Sequence, residues 1–309
     1  MEKICVVLPT KNEEQVIASV IRDVKEVFAQ HGLGEPTLIL TDDSTDNTRS
    51  IAKSEGAVIV NGGGKGLGYA MYHGLKATLQ YTPDFIVSFD SDGQCDPHEI
   101  PKFIELLRTD KADMVIGSRF QNPDLIEYKY RWKNRLGVLI LSKILRSFTG
   151  LPITDSHGGI RAMTAEVVRE MEMLGTYTYV QETIIDAVEK GFRVQEIPSA
   201  WRNRGYGRSR VVSSIPTYVF YTLPILIIRS KQHIKWLYSL GIIFVGLALA
   251  YFLFISYQAS FQFKAMFSRL PSFLLIALLT LTGIQLFFFG FVLELIKDIK
   301  YRIDRLDRK

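Results

Sequence analysis

Two long stretches without charge limit what this chain can fold into. Residues 236–263 contain no Asp, Glu, Lys or Arg, and neither do residues 270–293. As a helix rising about 1.5 Å per residue, each is long enough to cross a hydrocarbon core of roughly 30 Å. Core helices of soluble proteins rarely stay uncharged beyond about 14 residues. The pair therefore reads as two membrane spans, 236–257 and 272–296, joined by an external loop at 258–271. They carry most of a mean hydropathy of +0.11 over the 309 residues.

The flanks give an orientation. Arg229, Lys231 and Lys235 precede the first span, and Lys297, Lys300, Arg302, Arg305, Arg308 and Lys309 follow the second. The connecting loop holds only Lys264 and Arg269. Basic residues stay on the cytoplasmic side, so both termini, the region before the spans and a basic tail at 297–309 are expected there. Met1-Glu2-Lys3 runs straight into a short apolar stretch, which does not resemble a signal peptide. The expectation is an integral protein of a plasma or endoplasmic-reticulum-type membrane. Residues 211–228 are apolar and aromatic but broken by Pro216 and Pro224; with the residues up to 235 they read as short helices in the membrane interface.

Two cysteines, Cys5 and Cys95, form no disulfide framework, as befits a reducing compartment. The five histidines show no metal-ligand spacing. The net charge of +5 is modest and clusters beside the spans, so a lipid surface accounts for it and nucleic acid is not expected as a partner.

The first 120 residues alternate short apolar runs with amphipathic ones. Strands are expected at 4–8, 37–40, 58–60, 85–89 and 114–116. Helices are expected after Asn12, which with Gln15 offers a capping box, after Ser44, after the glycine-rich turn at 62–68, and from about His98. Such alternation argues for a mostly parallel sheet covered on both faces. From 121 to about 210 the pattern loosens, and we read this as the substrate-facing half of one catalytic domain spanning 1–210.

Four features carry chemistry. Asp90-Ser91-Asp92-Gly93-Gln94 follows the apolar strand that ends at Phe89. Ligands of open α/β sheets bind beyond the carboxyl ends of strands, and two carboxylates there can converge on a hard cation that keeps its other positions for water and phosphates. Asp42-Asp43-Ser44 ends the second strand; a carboxylate here can accept from a base or ribose, while Ser44 or Asp43 suits a helix cap. Gly62-Gly63-Gly64-Lys65-Gly66-Leu67-Gly68 is neither a Walker loop nor a dinucleotide fingerprint; it is either a tight turn or a backbone approach to a nucleotide with Lys65 beside it. Last comes an arginine series, Arg119, Arg131, Arg135, Arg161, Arg202, Arg204, Arg208 and Arg210. Guanidinium groups bind phosphate in a fork geometry and remain charged.

As an ordered set these motifs resemble the polyprenyl-phosphate sugar transferases of glycosyltransferase family 2. The carrying residues are Pro9-Thr10-Lys11-Asn12-Glu13-Glu14, Asp42 through Thr48, Asp90 through Gln94, Gly117-Ser118-Arg119, Asp155 through Arg161, Gln181-Glu182, and Arg204 through Arg210. The resemblance implies a GT-A fold, Rossmann-like with a mostly parallel sheet. It implies Pro9, Thr10, Glu13 and Asp42 around the nucleotide, where the reading of the loops above also sets Asp43 and Lys65 as candidates, and Asp90, Asp92 and Gln94 at Mg²⁺ or Mn²⁺ and the donor diphosphate. Arg204 and Arg210 would sit on the pyrophosphate side, and Arg119, Arg131 and Asn134 at the acceptor phosphate, with Asp92, Arg119 and Arg131 catalytic. The sequence departs from the family pattern at Lys11, where an aromatic is common, at Asn134, where a serine is common, and at Arg210, usually a lysine.

Together these features imply transfer of a hexose from a nucleotide diphosphate sugar to a polyprenyl phosphate, by a chain compatible with homo-oligomeric assembly. A rival reading has a hydroxyl acceptor, which needs a carboxylate base; Glu182, in Gln181-Glu182, and Asp155 are its candidates. A non-catalytic membrane adaptor would have no use for the intact Asp90, Asp92 and arginine series.

Overall fold

The computed structural model describes residues 2–128, 132–204, 221–222, 224–226, 229, 233–258 and 270–307. The chain divides into two compact units, Met1–Arg229 and Ser230–Lys309.

The first unit begins with β1 (Ile4–Thr10), α1 (Ile17–Gln30), β2 (Thr37–Asp42), α2 (Thr48–Ser54), β3 (Val58–Asn61), α3 (Leu67–Thr78) and β4 (Phe85–Ser88). It continues with α4 (Ile100–Arg108), β5 (Met114–Ser118), α5 (Trp132–Thr149), β6 (Arg161–Thr164), α6 (Ala165–Glu170), α7 (Val180–Glu189) and β7 (Val194–Pro198). The seven strands lie in the order β3-β2-β1-β4-β6-β5-β7. All neighbours pair parallel except those of β6, which runs antiparallel between β4 and β5. β1 is buried along its whole length, as a central strand covered on both faces must be. One core, with Val6, Leu8, Ile21, Phe28 and Phe103, lies on one face; a second, with Val7, Ile39, Met71, Leu75 and Ile184, lies on the other. The alternation of Val6 and Val7 between them follows from the period of two along a strand. This is the GT-A arrangement.

Local details differ from the sequence expectation. Asn12 does not cap α1: it has a positive φ of 53°, and its side-chain oxygen accepts from the backbone N–H of Thr45 at 2.8 Å. In return Ser44 Oγ accepts from the Asn12 N–H at 2.8 Å. Each residue thus satisfies the other's loop, and the two loops at the carboxyl ends of β1 and β2 are stitched together. Ser44 and Asp43 do not cap α2 either; Asp46 accepts from the Thr48 N–H at its start. The segment 121–204 holds five regular elements where the sequence pattern showed none, including the 18-residue helix α5.

The second unit is a helical hairpin, α8 (His233–Gln258) and α9 (Leu270–Asp307). Within it, Ile234–Gln258 and Leu270–Ile296 have mean hydropathies of 2.3 and 2.2, long and apolar enough to cross a membrane. The expected basic tail continues α9 as far as Asp307. The helices approach closely where Gly241 meets Gly283: a Cβ on either would lie within 3.0 Å of the other's carbonyl oxygen. Small residues at such crossings let backbones pack without a hydrophobic driving force. Tyr238 then donates to Glu294 at 3.0 Å, and Tyr251 and Ser272 hydroxyls meet at 3.2 Å.

Candidate active site

The carboxyl ends of β1, β2, β4 and β5 converge on one edge of the sheet. Parallel register sets Thr10 beside Asp42, and Thr10 Oγ1 donates to Asp42 Oδ1 at 3.0 Å. Asp42 is fully buried; its second oxygen accepts from Arg49 Nε at 2.9 Å. Asp43 accepts from the backbone N–H of Gly64 at 2.8 Å, so the glycine-rich turn closes against the acidic loop. Lys65 is exposed and lies over the Tyr69 ring at 4.7 Å. Pro9 is tied to the Asp90–Gln94 segment, since its carbonyl accepts from Ser91 Oγ at 2.7 Å.

Beyond β4, Asp92 Oδ1 accepts from the Gln94 N–H at 3.1 Å, which folds the motif into a tight turn. Arg204 bridges the first loop and this one: its guanidinium lies 3.4 Å from Glu13 Oε1 and 3.4 Å from Asp92 Oδ2. Thus Glu13, Asp92 and Arg204, remote in sequence, form one cluster. Burial pushes the Asp90 carboxyl up to about 7, and the charge of Asp92 pushes the same way against Arg119, Arg161 and Arg204. A carboxyl raised by burial, with a second acid adding to the shift, is stabilised in its charged form by a divalent cation. Among the described residues no group of three or more His, Cys, Asp or Glu side chains is placed to hold a metal. Asp90, Asp92 and Gln94 are an oxygen donor set that suits Mg²⁺ or Mn²⁺, which leave positions for water and phosphate.

The antiparallel strand β6 has a consequence for charge. Its first residue, Arg161, pairs with Ser88 of β4 and Ile116 of β5. That puts a fully buried guanidinium at the carboxyl edge, where it donates to Thr183 Oγ1 and lies over the Tyr179 ring at 5.1 Å. The loop before β6 also carries Asp155, which is fully buried. Arg119, at the end of β5 and 7% exposed, forks onto it with Nε–Oδ2 at 2.7 Å and Nη2–Oδ1 at 2.9 Å. The Arg119 and His157 N–H groups donate to the same carboxylate. Burial works to raise the Asp155 carboxyl, and Arg119 overcomes it through charge and hydrogen bonds, holding it below the usual range. The plane of Arg119 sits 4.7 Å from the Trp201 ring. The loop lies against β5 because position 158 is glycine; a Cβ there would fall 1.8 Å from the Gly117 carbonyl oxygen.

Glu182, at the start of α7, accepts from the N–H groups of Leu174 and Gly175 at 2.6 and 2.8 Å and pairs with Arg229 at 3.1 Å. Asn134 is half-buried in the first turn of α5. Arg131, Arg208 and Arg210, and most of the expected interfacial segment 211–235, lie outside the described residues. Three features that hold the site carry no clear signal in sequence. Arg49 reads as a solvated helix residue, Trp201 as an isolated aromatic, and the bond between Asp155 and Arg119 spans 36 residues of chain.

The fold and this edge define a protein of the GT-A class, with acidic and cationic side chains gathered beyond the strand ends. Residues 5–171 match the family described as Glycosyl transferase family 2, and the chain belongs to it. It is 33% identical over 201 residues to the low-salt glycan biosynthesis hexosyltransferase Agl6 of Haloferax volcanii, a match covering 64% of this chain and 48% of that relative, about half its length. It is 28% identical over 246 residues to the UDP-N-acetylglucosamine–dolichyl-phosphate N-acetylglucosaminyltransferase of Methanococcus voltae, covering 72% and 95%. Among solved structures it is similar to glucosyl-3-phosphoglycerate synthase from Mycobacterium tuberculosis with Mn²⁺, UDP and glucosyl-3-phosphoglycerate, with a TM-score of 0.57, 23% identity and coverage of 74% and 80%.

Proposed function

We propose that the chain transfers a hexose from a nucleotide diphosphate sugar, of the GDP-mannose or UDP-glucose type, to a dolichyl- or undecaprenyl-type polyprenyl phosphate. One observation carries the choice of acceptor. The two carboxylates named from sequence as bases for a hydroxyl acceptor are both ion-paired: Asp155 with Arg119, and Glu182 with Arg229 and two backbone N–H groups. A phosphate monoester has its second pKa near 6 and is largely ionised at neutral pH, so it needs no base. The dolichyl-phosphate acceptor in the name of the Methanococcus voltae relative and the two apolar helices support the same reading.

In the proposed step an oxygen of the lipid phosphate bonds to the anomeric carbon from the face opposite the leaving group. The bond from that carbon to the diphosphate breaks, the nucleoside diphosphate departs with the electron pair, and the configuration inverts. Asp42 and Thr10 hold the base and ribose end. Arg204, braced by Glu13 and Asp92, faces the diphosphate. Arg119, oriented by Asp155, and Arg131 aim the acceptor phosphate, and alignment of this kind accounts for much of enzymatic rate enhancement. Asp90, Asp92 and Gln94 would hold Mg²⁺ or Mn²⁺, which neutralises the departing diphosphate; the Mycobacterium tuberculosis synthase binds Mn²⁺ or Mg²⁺ with UDP.

The catalytic unit and both termini face the cytosol in this account. Cysteine labelling of intact cells at position 264 and at 300 tests it: an impermeant reagent should reach 264 alone, and the reverse pattern overturns a cytosolic donor. The activity is tested by incubating membranes with a panel of radiolabelled nucleotide sugars and polyprenyl phosphate. One donor should label a phosphate-linked lipid; label that never enters lipid overturns the proposal.

A further inference from the structure

The two loops that carry Arg119 and Asp155 share one further carboxylate. Glu196 lies in β7, opposite Ile116 of β5. By the period of two along a strand it shares a face with Val194, which packs against the second core. An apolar residue would ordinarily suit such a place, and a half-buried carboxylate is tolerated there only with its oxygens satisfied. The Asp155 N–H donates to Glu196 Oε1 at 2.8 Å, and the Thr154 N–H donates to Oε2 at 2.8 Å. Thr154 Oγ1 and Gln121 Nε2 donate to the same Oε2 at 2.8 and 2.9 Å. These contacts form a directed chain. An ionised carboxylate only accepts, so the Thr154 hydroxyl proton points at Glu196. The Thr154 oxygen is then left to accept from Ser118 Oγ, 2.7 Å away. Ser118 Oγ in turn accepts from the N–H groups of Phe120 and Gln121 at 3.2 and 3.3 Å, which closes the turn that carries Arg119.

We propose that Glu196 is a positioning residue: it holds the Asp155 loop and the Arg119 turn at a fixed spacing, so that the Arg119 guanidinium meets the acceptor phosphate. It sets Asp155 through that residue's backbone, and Arg119 through Thr154, Ser118 and Gln121. The kinetic half of the proposal rests on the reading of Arg119 as an acceptor contact; the geometric half does not. Glu196→Gln keeps the size of the side chain but turns an NH₂ group toward N–H and O–H donors. At least one of the two loops then loses its partner.

The test uses the full-length chain in detergent, with arginine Nε labelled with ¹⁵N. The Arg119 Nε–H resonance is identified by its loss in Arg119→Lys. In the wild type it should exchange slowly with water, as a buried donor in a 2.7 Å bond does. In Glu196→Gln it should shift and exchange faster. Initial rates are measured with farnesyl phosphate as a short polyprenyl phosphate. KM for it should rise about 10-fold, as loss of one hydrogen bond to a charged group would give, with KM for the nucleotide sugar unchanged. Thr154→Val, which cuts the link to Ser118, should show the same split in smaller measure, and Thr154→Ser should restore it. A lower Tm with both KM values and the Arg119 resonance unmoved makes Glu196 merely structural and overturns the proposal. An equal rise in both KM values overturns it too. If Glu196→Gln does not fold, the Thr154 variants decide: identical kinetics in Val and Ser, with the resonance unmoved, overturn it. A displaced resonance with an unchanged acceptor KM overturns the kinetic half and takes Arg119 off the acceptor. Transfer by the wild type to polyprenol sinks the acceptor reading alone, and the resonance still judges Glu196.

Discussion

Replacing Asp155 with Asn tests the pair that orients Arg119. The substitution keeps the shape but removes the charge, and it can set an NH₂ group against donors. Arg119 Nε and the Arg119 N–H both point at Oδ2, at 2.7 and 3.1 Å. With Asp155 fully buried and Arg119 7% exposed, water cannot take over the lost role. Breaking one side of a buried ion pair costs about 3–5 kcal/mol. For a unit of 229 residues, at about 2–4 °C per kcal/mol, that lowers the midpoint by roughly 6–20 °C. The folded-state carboxyl lies below its ordinary value of 3.8. Its contribution is therefore complete above that value and is lost only as pH falls through the lowered one. The gap between wild type and variant should be constant near neutrality and close in strong acid. Thermal unfolding in detergent, followed by circular dichroism at several pH values, measures it. Replacing both residues at once, Asp155→Leu with Arg119→Met, should recover most of the stability but not the activity. A single Asp155→Asn variant that melts with the wild type would refute the claim that this carboxylate holds a buried cation.

Other consequences can be checked by turnover. Asp92→Asn should lower the rate by orders of magnitude while the circular dichroism spectrum is kept, and excess chelator should silence the wild type; full activity in chelator would remove the cation from the account. Arg131→Ala should raise KM for polyprenyl phosphate or lower kcat with donor affinity little changed. Glu182→Gln should cost stability, because Arg229 loses its partner, yet retain turnover near neutral pH. Loss of transfer in a folded Glu182→Gln enzyme beside a normal Arg131→Ala enzyme would favour a base and a hydroxyl acceptor.

The parts of the fold legible in sequence are those governed by local pattern. The strand at 85–88 stops one residue before its apolar run ends at Phe89, so Asp90 and Asp92 can be placed at a strand terminus from sequence alone. The two uncharged runs become α8 and α9 by the same logic. Asn12 and Ser44 defeat it: each looks like a helix cap because its neighbours do, whereas each is satisfied by a loop more than thirty residues away. Arg119 shows the same limit, since a series of arginines suggests phosphate and only the fold reveals Asp155 between its nitrogens. Helix α5 is hard to see in sequence because apolar residues occupy both its buried and its exposed faces, which blurs the 3.6-residue period. The antiparallel β6, four residues long, carries too little pattern to separate from a loop, although it delivers Arg161 to the site.

The central claim is the chemical nature of the acceptor. In vesicles containing the purified chain, a matched nucleotide sugar and Mg²⁺, polyprenyl phosphate and polyprenol of equal length can be offered separately. Label should enter only the phosphate-bearing lipid and be released as free sugar by mild acid, with an initial rate that does not depend on Glu182. Transfer to polyprenol or to a sugar hydroxyl at a comparable rate would contradict the claim.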